Sequence, residues 1–484
     1  MVGTGLRFAS AAPSRAFGLL VPFSLGPPLA AGAEMVRRGP RRRPRSGTGS
    51  SGEGSASDEP HGGSSRSEAE ASPDHLKQPV PTTWPAILAL MRNRSVVVVF
   101  GTLTALFASG YGVMFTVLDE FRDQYGIGEG ALGLIVAMGF LSSFLAQVTL
   151  APLADRGHAR QMIFLGIAFD VAGLLGMAYG STVLVLLTSR FVMGVGVGLA
   201  YPAARRIVIL ADPDNLGQNL GRMLAADVGG FALGPAVSAA LVGPFGIAAP
   251  FLVIAALTLV ICPLVARTRV AETDTTVEPP PRFAFDLLRI RPYLAALSMG
   301  AAVFMMIGAF DALWALVLDD LHASDLIANL GITLFAVPMV LFASTGGKLA
   351  QSIGPFRLGT FGLLVGAAAM FAYGHAPSGG IMLAISIVHA TNDGFTVSSC
   401  GVAVGLVVPG ERQASAQGLL GGVETLVAGI TATAIGQIYQ HFGRTVAYTS
   451  CSATMVALII CGAVLSGRSW RMRDFGDREA AVAV

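Results

Sequence analysis

The run Gly221-Arg222-Met223-Leu224-Ala225-Ala226-Asp227-Val228-Gly229-Gly230-Phe231-Ala232-Leu233-Gly234-Pro235-Ala236-Val237-Ser238-Ala239 decides the fold. Gly230, Gly234 and Ser238 recur every four residues, so on a helix they form one stripe of small side chains. A helix-distorting proline follows Gly234. In water such a helix is weak, because each interior glycine costs about 1 kcal/mol. Inside a bilayer the same stripe lets two helices pack with their backbones close together.

Composition supplies the bilayer. The chain is 53% hydrophobic and 13% charged, with a mean hydropathy of +0.64; soluble domains carry about 25% charged residues. The charges gather before residue 95, between Arg267 and Arg291, and after Gly467. Between them lie apolar segments of the ~20 residues that cross a bilayer. Twelve spans are expected, near 96–117, 131–152, 161–180, 183–204, 219–242, 246–266, 293–317, 327–346, 358–376, 380–405, 415–438 and 446–466.

Lysine and arginine placement orients them. With the residues before the first span in the cytoplasm, the inside loops hold Arg156, Arg160, Arg205, Arg206, Arg222, the group from Arg267 to Arg291, Lys348, Arg357, Arg412 and the tail arginines Arg468, Arg471 and Arg473. The outside loops hold Arg122 and Arg444. An odd number of spans would mix the two sets, so both termini are expected in the cytoplasm and the protein in the plasma membrane. Cys262, Cys400, Cys451 and Cys461 fall in or beside spans and read as small apolar residues. The sequence shows no metal-ligand spacing, phosphate-binding loop or nucleophile motif, so no cofactor, metal, nucleic-acid partner or enzymatic activity is expected.

The expected organisation is an N-terminal extension over 1–90, a six-helix half over 91–267, a central cytoplasmic loop over 268–291, a second half over 292–467 and a cytoplasmic tail over 468–484. Residues 36–80 are rich in Ser, Gly, Arg and Pro and read as disordered. The run from Arg37 to Arg45 suits a solvated tail or contact with anionic headgroups. Residues 1–34 resemble a targeting signal, and Met35 as initiator would leave them untranslated.

The two halves echo each other. Val117-Leu118-Asp119-Glu120 corresponds to Val317-Leu318-Asp319-Asp320, Pro152-Leu153-Ala154-Asp155 to Lys348-Leu349-Ala350-Gln351, and Gly221 and Asp227 to Gly418 and Glu424. The matches keep one order and a nearly constant offset, which makes a parallel repeat of six spans plus six. Repeated halves around a midplane site are a transporter architecture.

At these residues the chain resembles the major facilitator superfamily, over about 90–466. That family carries Gly-x-Leu-Ala-Asp-Arg-x-Gly-Arg-Arg/Lys after its second span. Here the stretch reads Ala151-Pro152-Leu153-Ala154-Asp155-Arg156-Gly157-His158-Ala159-Arg160, which keeps the centre and the last basic residue and lacks both glycines. The echo, Gly347 to Gly354, keeps glycines and loses the acid. The resemblance implies a gating loop of Asp155, Arg156 and Arg160. Arg190-Phe191-Val192-Met193-Gly194-Val195-Gly196 resembles the family's Arg-x-x-x-Gly-x-Gly, linked to proton coupling; a structural arginine is the alternative. Gly221, Gly230, Gly234 and Pro235 match the fifth-span motif Gly-x8-Gly-x3-Gly-Pro-x2-Gly-Gly, with Ser238-Ala239 replacing its last two glycines. In the family that motif marks antiporters, especially drug/proton exporters.

Asp170, Asp227, Asp311, Asp393 and Glu424 fall within spans, and intramembrane acids read as functional. The family arrangement lines the cavity with spans one, four, seven and ten, which favours Asp311 and Asp393. His389, Asn392 and Asp393 share a helix face. Trp314, three residues after Asp311, offers an aromatic surface for a lipophilic or cationic ligand. Asp311, Trp314, His389, Asn392 and Asp393 are therefore candidate cavity residues. Asp227 and Glu424, with Asp311 and Arg190, are candidates for proton coupling; Asp170 reads as a brace. The leading expectation is a monomeric secondary transporter that exports small amphipathic or cationic compounds against protons. An importer or metabolite permease on the same fold, and a non-transporting sensor or assembly partner, remain open.

Overall fold

The computed structural model describes residues 84–268, 270 and 281–473, and every regular element among them is helical. The expectations for the first 83 residues and for the tail beyond Arg473 lie outside the described residues. In hydrocarbon each backbone N–H and C=O must be satisfied within its own segment, which is why apolar, glycine-rich stretches fold as long helices here.

The elements run α1 (Trp84–Thr116), α2 (Leu118–Tyr125), α3 (Glu129–Leu150), α4 (Ala159–Tyr179), α5 (Val183–Ala211), α6 (Leu216–Phe245), α7 (Ala248–Arg267), α8 (Arg291–Asp320), α9 (Asp325–Ile353), α10 (Pro355–His375), α11 (Gly379–Thr396), α12 (Ser399–Val407) and α13 (Gln413–Ser466). Among the described residues nine helices are long and apolar enough to cross a membrane. The chain is a multi-pass membrane protein.

The difference from twelve has physical sources. The expected spans at 415–438 and 446–466 are one continuous run, α13, interrupted at Gly443, whose φ of 79° few other residues adopt. The expected span at 380–405 is divided into α11 and α12, and His389, Asn392 and Asp393 dilute the apolar character of α11. The helix expected at 327–346 is present as α9 but is not among the nine.

The glycine stripe does what its spacing predicts. A Cβ at Gly230 would overlap the Ala105 carbonyl, and one at Gly234 would overlap the backbone of Gly112. Their absence lets α6 lie against α1 closely enough for Ser109 Oγ to donate to the Gly230 carbonyl at 2.8 Å. Gly221, one turn and more away, packs instead on the Ala343 carbonyl of α9.

Buried apolar side chains gather in two clusters. One draws on residues 96–265 together with Ala414. The other draws on residues 284–472 together with Ile209, Leu216 and Leu220. The strays in each cluster mark where the end of α5, the start of α6 and the start of α13 reach across.

Candidate functional site

Asp155 is fully buried in the turn between α3 and α4. Gly157 in that turn takes φ 84°, so the left-handed residue sits one position before the family's glycine, where this chain has His158. The turn aims the Asp155 carboxylate at the first turn of α13. Ala414 N–H donates to Oδ1 at 3.0 Å and Ser415 N–H to Oδ2 at 2.7 Å. Arg206 Nε lies 3.2 Å from Oδ1 and is itself buried. A carboxylate here meets two orphan helix-terminal donors and the positive end of the helix dipole. The other two loop candidates are elsewhere: Arg160 donates to the Ala266 carbonyl, and Arg156 is half-buried.

The repeat-related position holds Gln351, at the end of α9. Gly217 N–H, in the first turn of α6, donates to Gln351 Oε1 at 2.9 Å, and Gln351 Nε2 donates to the Asp214 carbonyl at 3.1 Å. The loss of the acid noted in the sequence therefore leaves the cap in place. An amide meets one helix start where a carboxylate meets the other. Sequence reasoning assigned Arg206 to topology alone and gave Gln351 no role. The repeat register was the signal that pointed to Gln351.

Beyond these caps the same seam is sealed by close backbone contacts. Gly217 and Gly221 of α6 lie against Gly347 and Ala343 of α9, and Gly418 and Gly421 of α13 lie against Ala151 and Gln147 near the end of α3. Past Asp227 and Glu424 the two long helices change character. Leu233 on α6 is 58% exposed and Ile430 on α13 is 60% exposed.

Asp227 accepts a hydrogen bond from Tyr201 Oη at 2.6 Å, and the Thr104 carbonyl lies 3.1 Å from the same hydroxyl, within reach of its one proton. Tyr201 thus ties α5 to α6 and α1 at the acid, a role the sequence did not indicate. Glu424 is buried beside Gly300 of α8, where a Cβ would lie 3.3 Å from Oε1. Arg205 acts electrostatically on both Asp227 and Glu424.

Arg190 is fully buried, with its guanidinium 4.3 Å from the centroid of the Tyr111 ring. Gly139 makes room for it: a Cβ there would lie 3.1 Å from the guanidinium carbon. Tyr111 Oη donates to the Gly139 carbonyl at 3.2 Å. Asp170, also fully buried, is the acid that acts on Arg190 electrostatically, without a direct hydrogen bond.

The structure separates the expected cavity residues. Asp311 is exposed. Trp314 turns inward, stacked on Phe310 at 4.7 Å and edge-on to Tyr373 at 6.3 Å. His389 and Asp393 are buried together, Nε2 to Oδ2 at 3.4 Å. The other ring nitrogen of His389 bonds Tyr373 Oη at 3.0 Å. Asn392 Nδ2 donates to the Gly362 carbonyl at 3.0 Å and to Asp393 Oδ1 at 3.2 Å. These residues join α8, α10 and α11 into one polar and aromatic cluster. No group of three or more His, Cys, Asp or Glu suited to a metal occurs among the described residues.

A family model described as Major Facilitator Superfamily matches residues 98–319 and again 297–475. The quinolone resistance protein NorA of Staphylococcus aureus (strain MRSA252) is 29% identical over 147 residues, which cover 30% of this chain and 37% of that protein. The multidrug resistance protein MdtG of Serratia proteamaculans (strain 568) is 27% identical over 283 residues, covering 54% of this chain and 66% of that one. The chain thus matches about a third of the first relative's length and two-thirds of the second's. Among solved structures, the human organic anion transporter MFSD10 (TETRAN) is similar with a TM-score of 0.61 at 16% identity, covering 76% of this chain and 99% of that one. FucP in the outward conformation is similar with a TM-score of 0.63, also at 16% identity, covering 76% and 98%.

Proposed function

Because the chain belongs to the major facilitator superfamily, we propose that it is a secondary transporter that exports small amphipathic or cationic compounds from the cell in exchange for protons. It is not an enzyme. The observation that carries the reading is the pairing of Asp227 with Glu424. They hold corresponding positions of the sequence repeat in helices apolar enough to cross a membrane; Asp227 accepts from Tyr201 Oη, and Glu424 is buried against Gly300. Each sits roughly 16 Å from the start of its helix. A carboxyl at that depth changes charge at a cost set by its surroundings, so each acid is suited to take up a proton on one side of the membrane and release it on the other.

The working parts follow. Residues 91–267 and 292–467 form two six-span halves that rock about a midplane cavity, with both termini and the loop over 268–291 in the cytoplasm. The Asp155 cap, the Gln351 cap and the glycine contacts of α6–α9 and α3–α13 are the closed inner gate. The exposed stretches past Asp227 and Glu424 face the opening on the other side. Asp311, on the seventh span, meets substrate there, while Trp314, His389, Asn392 and Asp393 stiffen the wall behind it. Arg190 holds the first half in shape for the proton step. Gly221, Gly230, Gly234 and Pro235 keep the helix seams tight enough to stop leakage. The names of the two relatives, a quinolone and a multidrug resistance protein, support the outward direction. The transporter works as a monomer in the plasma membrane.

The test is flux in proteoliposomes under an imposed pH gradient, with a fluorescent lipophilic cation. Energised counter-movement of cation and protons is expected, abolished by a protonophore. Asp227→Asn and Glu424→Gln, combined, are expected to leave gradient-independent exchange and remove the pH drive, whereas Asp311→Asn is expected to weaken exchange itself. Full pH-driven transport in the combined variant would sink the coupling assignment. Movement of cation and protons in the same direction would instead establish an importer.

A further inference from the structure

The segment that leads into α8 sorts its side chains by three. Ala284–Arg289 is a 3₁₀ helix, in which residues three apart eclipse. Ala284 and Leu287 are both 3% exposed and pack into the second hydrophobic cluster. Phe285 and Leu288, on the next face, are 55% and 36% exposed. On the third face Asp286 accepts both arms of the Arg412 guanidinium, at 2.7 and 2.8 Å. Phe283, also exposed, stacks on Phe285 with centroids 6.0 Å apart, and the Arg282 guanidinium lies 5.6 Å over the Phe283 ring. Arg282, Arg289 and Arg291 are exposed around this apolar edge.

We infer that residues 282–291 are a membrane-surface anchor, which seats Phe283, Phe285 and Leu288 at the headgroup boundary and binds anionic lipid through Arg282, Arg289 and Arg291. The setting fits that occupant on two counts. The segment ends where a membrane-spanning helix begins, so the edge lies at the level of the bilayer surface. Its side chains also combine apolar insertion with cationic rim, the chemistry that an anionic leaflet rewards and a neutral one does not.

The anchor has a fixed mechanical address. Asp286 grips Arg412, the residue just before α13. Tyr293 Oη, in the first turn of α8, donates to the Ala416 carbonyl at 2.9 Å. Both ties reach the helix start that Asp155 caps. Lipid bound to the anchor therefore holds that helix start in place, whichever way substrate moves.

The full chain with its native cysteines replaced, carrying a nitroxide at Phe285→Cys, tests this in vesicles of phosphatidylcholine with and without phosphatidylglycerol. The nitroxide is expected to collide more with oxygen than with an aqueous nickel complex, and the anionic lipid is expected to increase that preference. Each arginine contributes roughly five-fold to the preference for anionic lipid. Replacing Arg282, Arg289 and Arg291 together by Gln is expected to remove the lipid dependence; replacing them by Lys is expected to keep it and serves as the folding control. A nitroxide as open to the nickel complex in both vesicles as in detergent solution overturns the anchor. So does a lipid response that survives the Gln substitutions. Native mass spectrometry of the unlabelled protein supplies a second readout: retained phosphatidylglycerol is expected to fall in Phe285→Ser/Leu288→Ser, and equal retention would count against the proposal. Neither readout uses transport, so a failed flux assay leaves this result standing.

Discussion

Asp155 carries no catalytic duty, yet it accepts two amide N–H groups and faces Arg206 from a position without solvent. Asp155→Asn keeps the shape and removes the charge. A carboxylate at a helix start contributes up to about 2 kcal/mol when partly buried, so the contact proposed as the inner gate should weaken by about that much. Transport should slow by roughly ten-fold or more, with protein yield and elution volume unchanged; unaltered flux would remove Asp155 from the gate. Asp286 makes a second, milder prediction. The Arg412 fork holds its carboxyl below the usual carboxylate range. A depressed value means that the pair stabilises the fold above the unfolded value of about 3.9 and that this support is lost as pH falls through the lower folded value. Melting temperature against pH should therefore drop below about pH 4 in the wild type, and that drop should be shallower in Asp286→Asn. The effect is small because the pair is partly open to water.

At the scale of elements, the seam between α1 and α6 is set by what glycine omits. The Ala105 carbonyl occupies the space of a Gly230 Cβ, so even Gly230→Ala must push the helices apart. Overpacking of this kind costs about 1–3 kcal/mol, readable as a lower melting temperature in detergent by fluorescence-detected size exclusion. Gly229→Ala, where the nearest neighbour of a Cβ would be a Val340 methyl at 3.5 Å, should be nearly neutral. A larger loss for Gly229 than for Gly230 would show that the seam is set elsewhere. The spacing of Gly230, Gly234 and Ser238 was enough to find this seam from sequence. Its partner helix was not, because spacing within one helix says nothing about which neighbour fills the stripe. Arg206 and Tyr201 escaped for a related reason: a buried polar side chain resembles a loop or core residue until the donor opposite it is known. His389, Asn392 and Asp393 were recognised as one face. That this face turns into the packing of α8, α10 and α11 depends on helix rotation, which hydropathy does not specify.

At the scale of the molecule, the sequence echo has a counterpart in the caps. Asp155 reaches α13 and Gln351 reaches α6 from corresponding positions. If both caps serve one gate, Gln351→Ala should lower transport in the same direction as Asp155→Asn, by the weaker margin of a neutral hydrogen bond, about 1 kcal/mol. Their double variant should lose more than the sum of the two, measured as initial flux. Strict additivity would mean that the two ends of the seam open independently.

The mismatch between those caps has one more consequence. A carboxylate can be switched off by a proton, whereas a glutamine amide cannot. The two cap contacts are therefore unlike in what they can sense: the carboxylate at the start of α13 can take a proton, and the amide at the start of α6 cannot. In the proposed rocking cycle, the chemistry of a single side chain would then decide which contact yields first in acid.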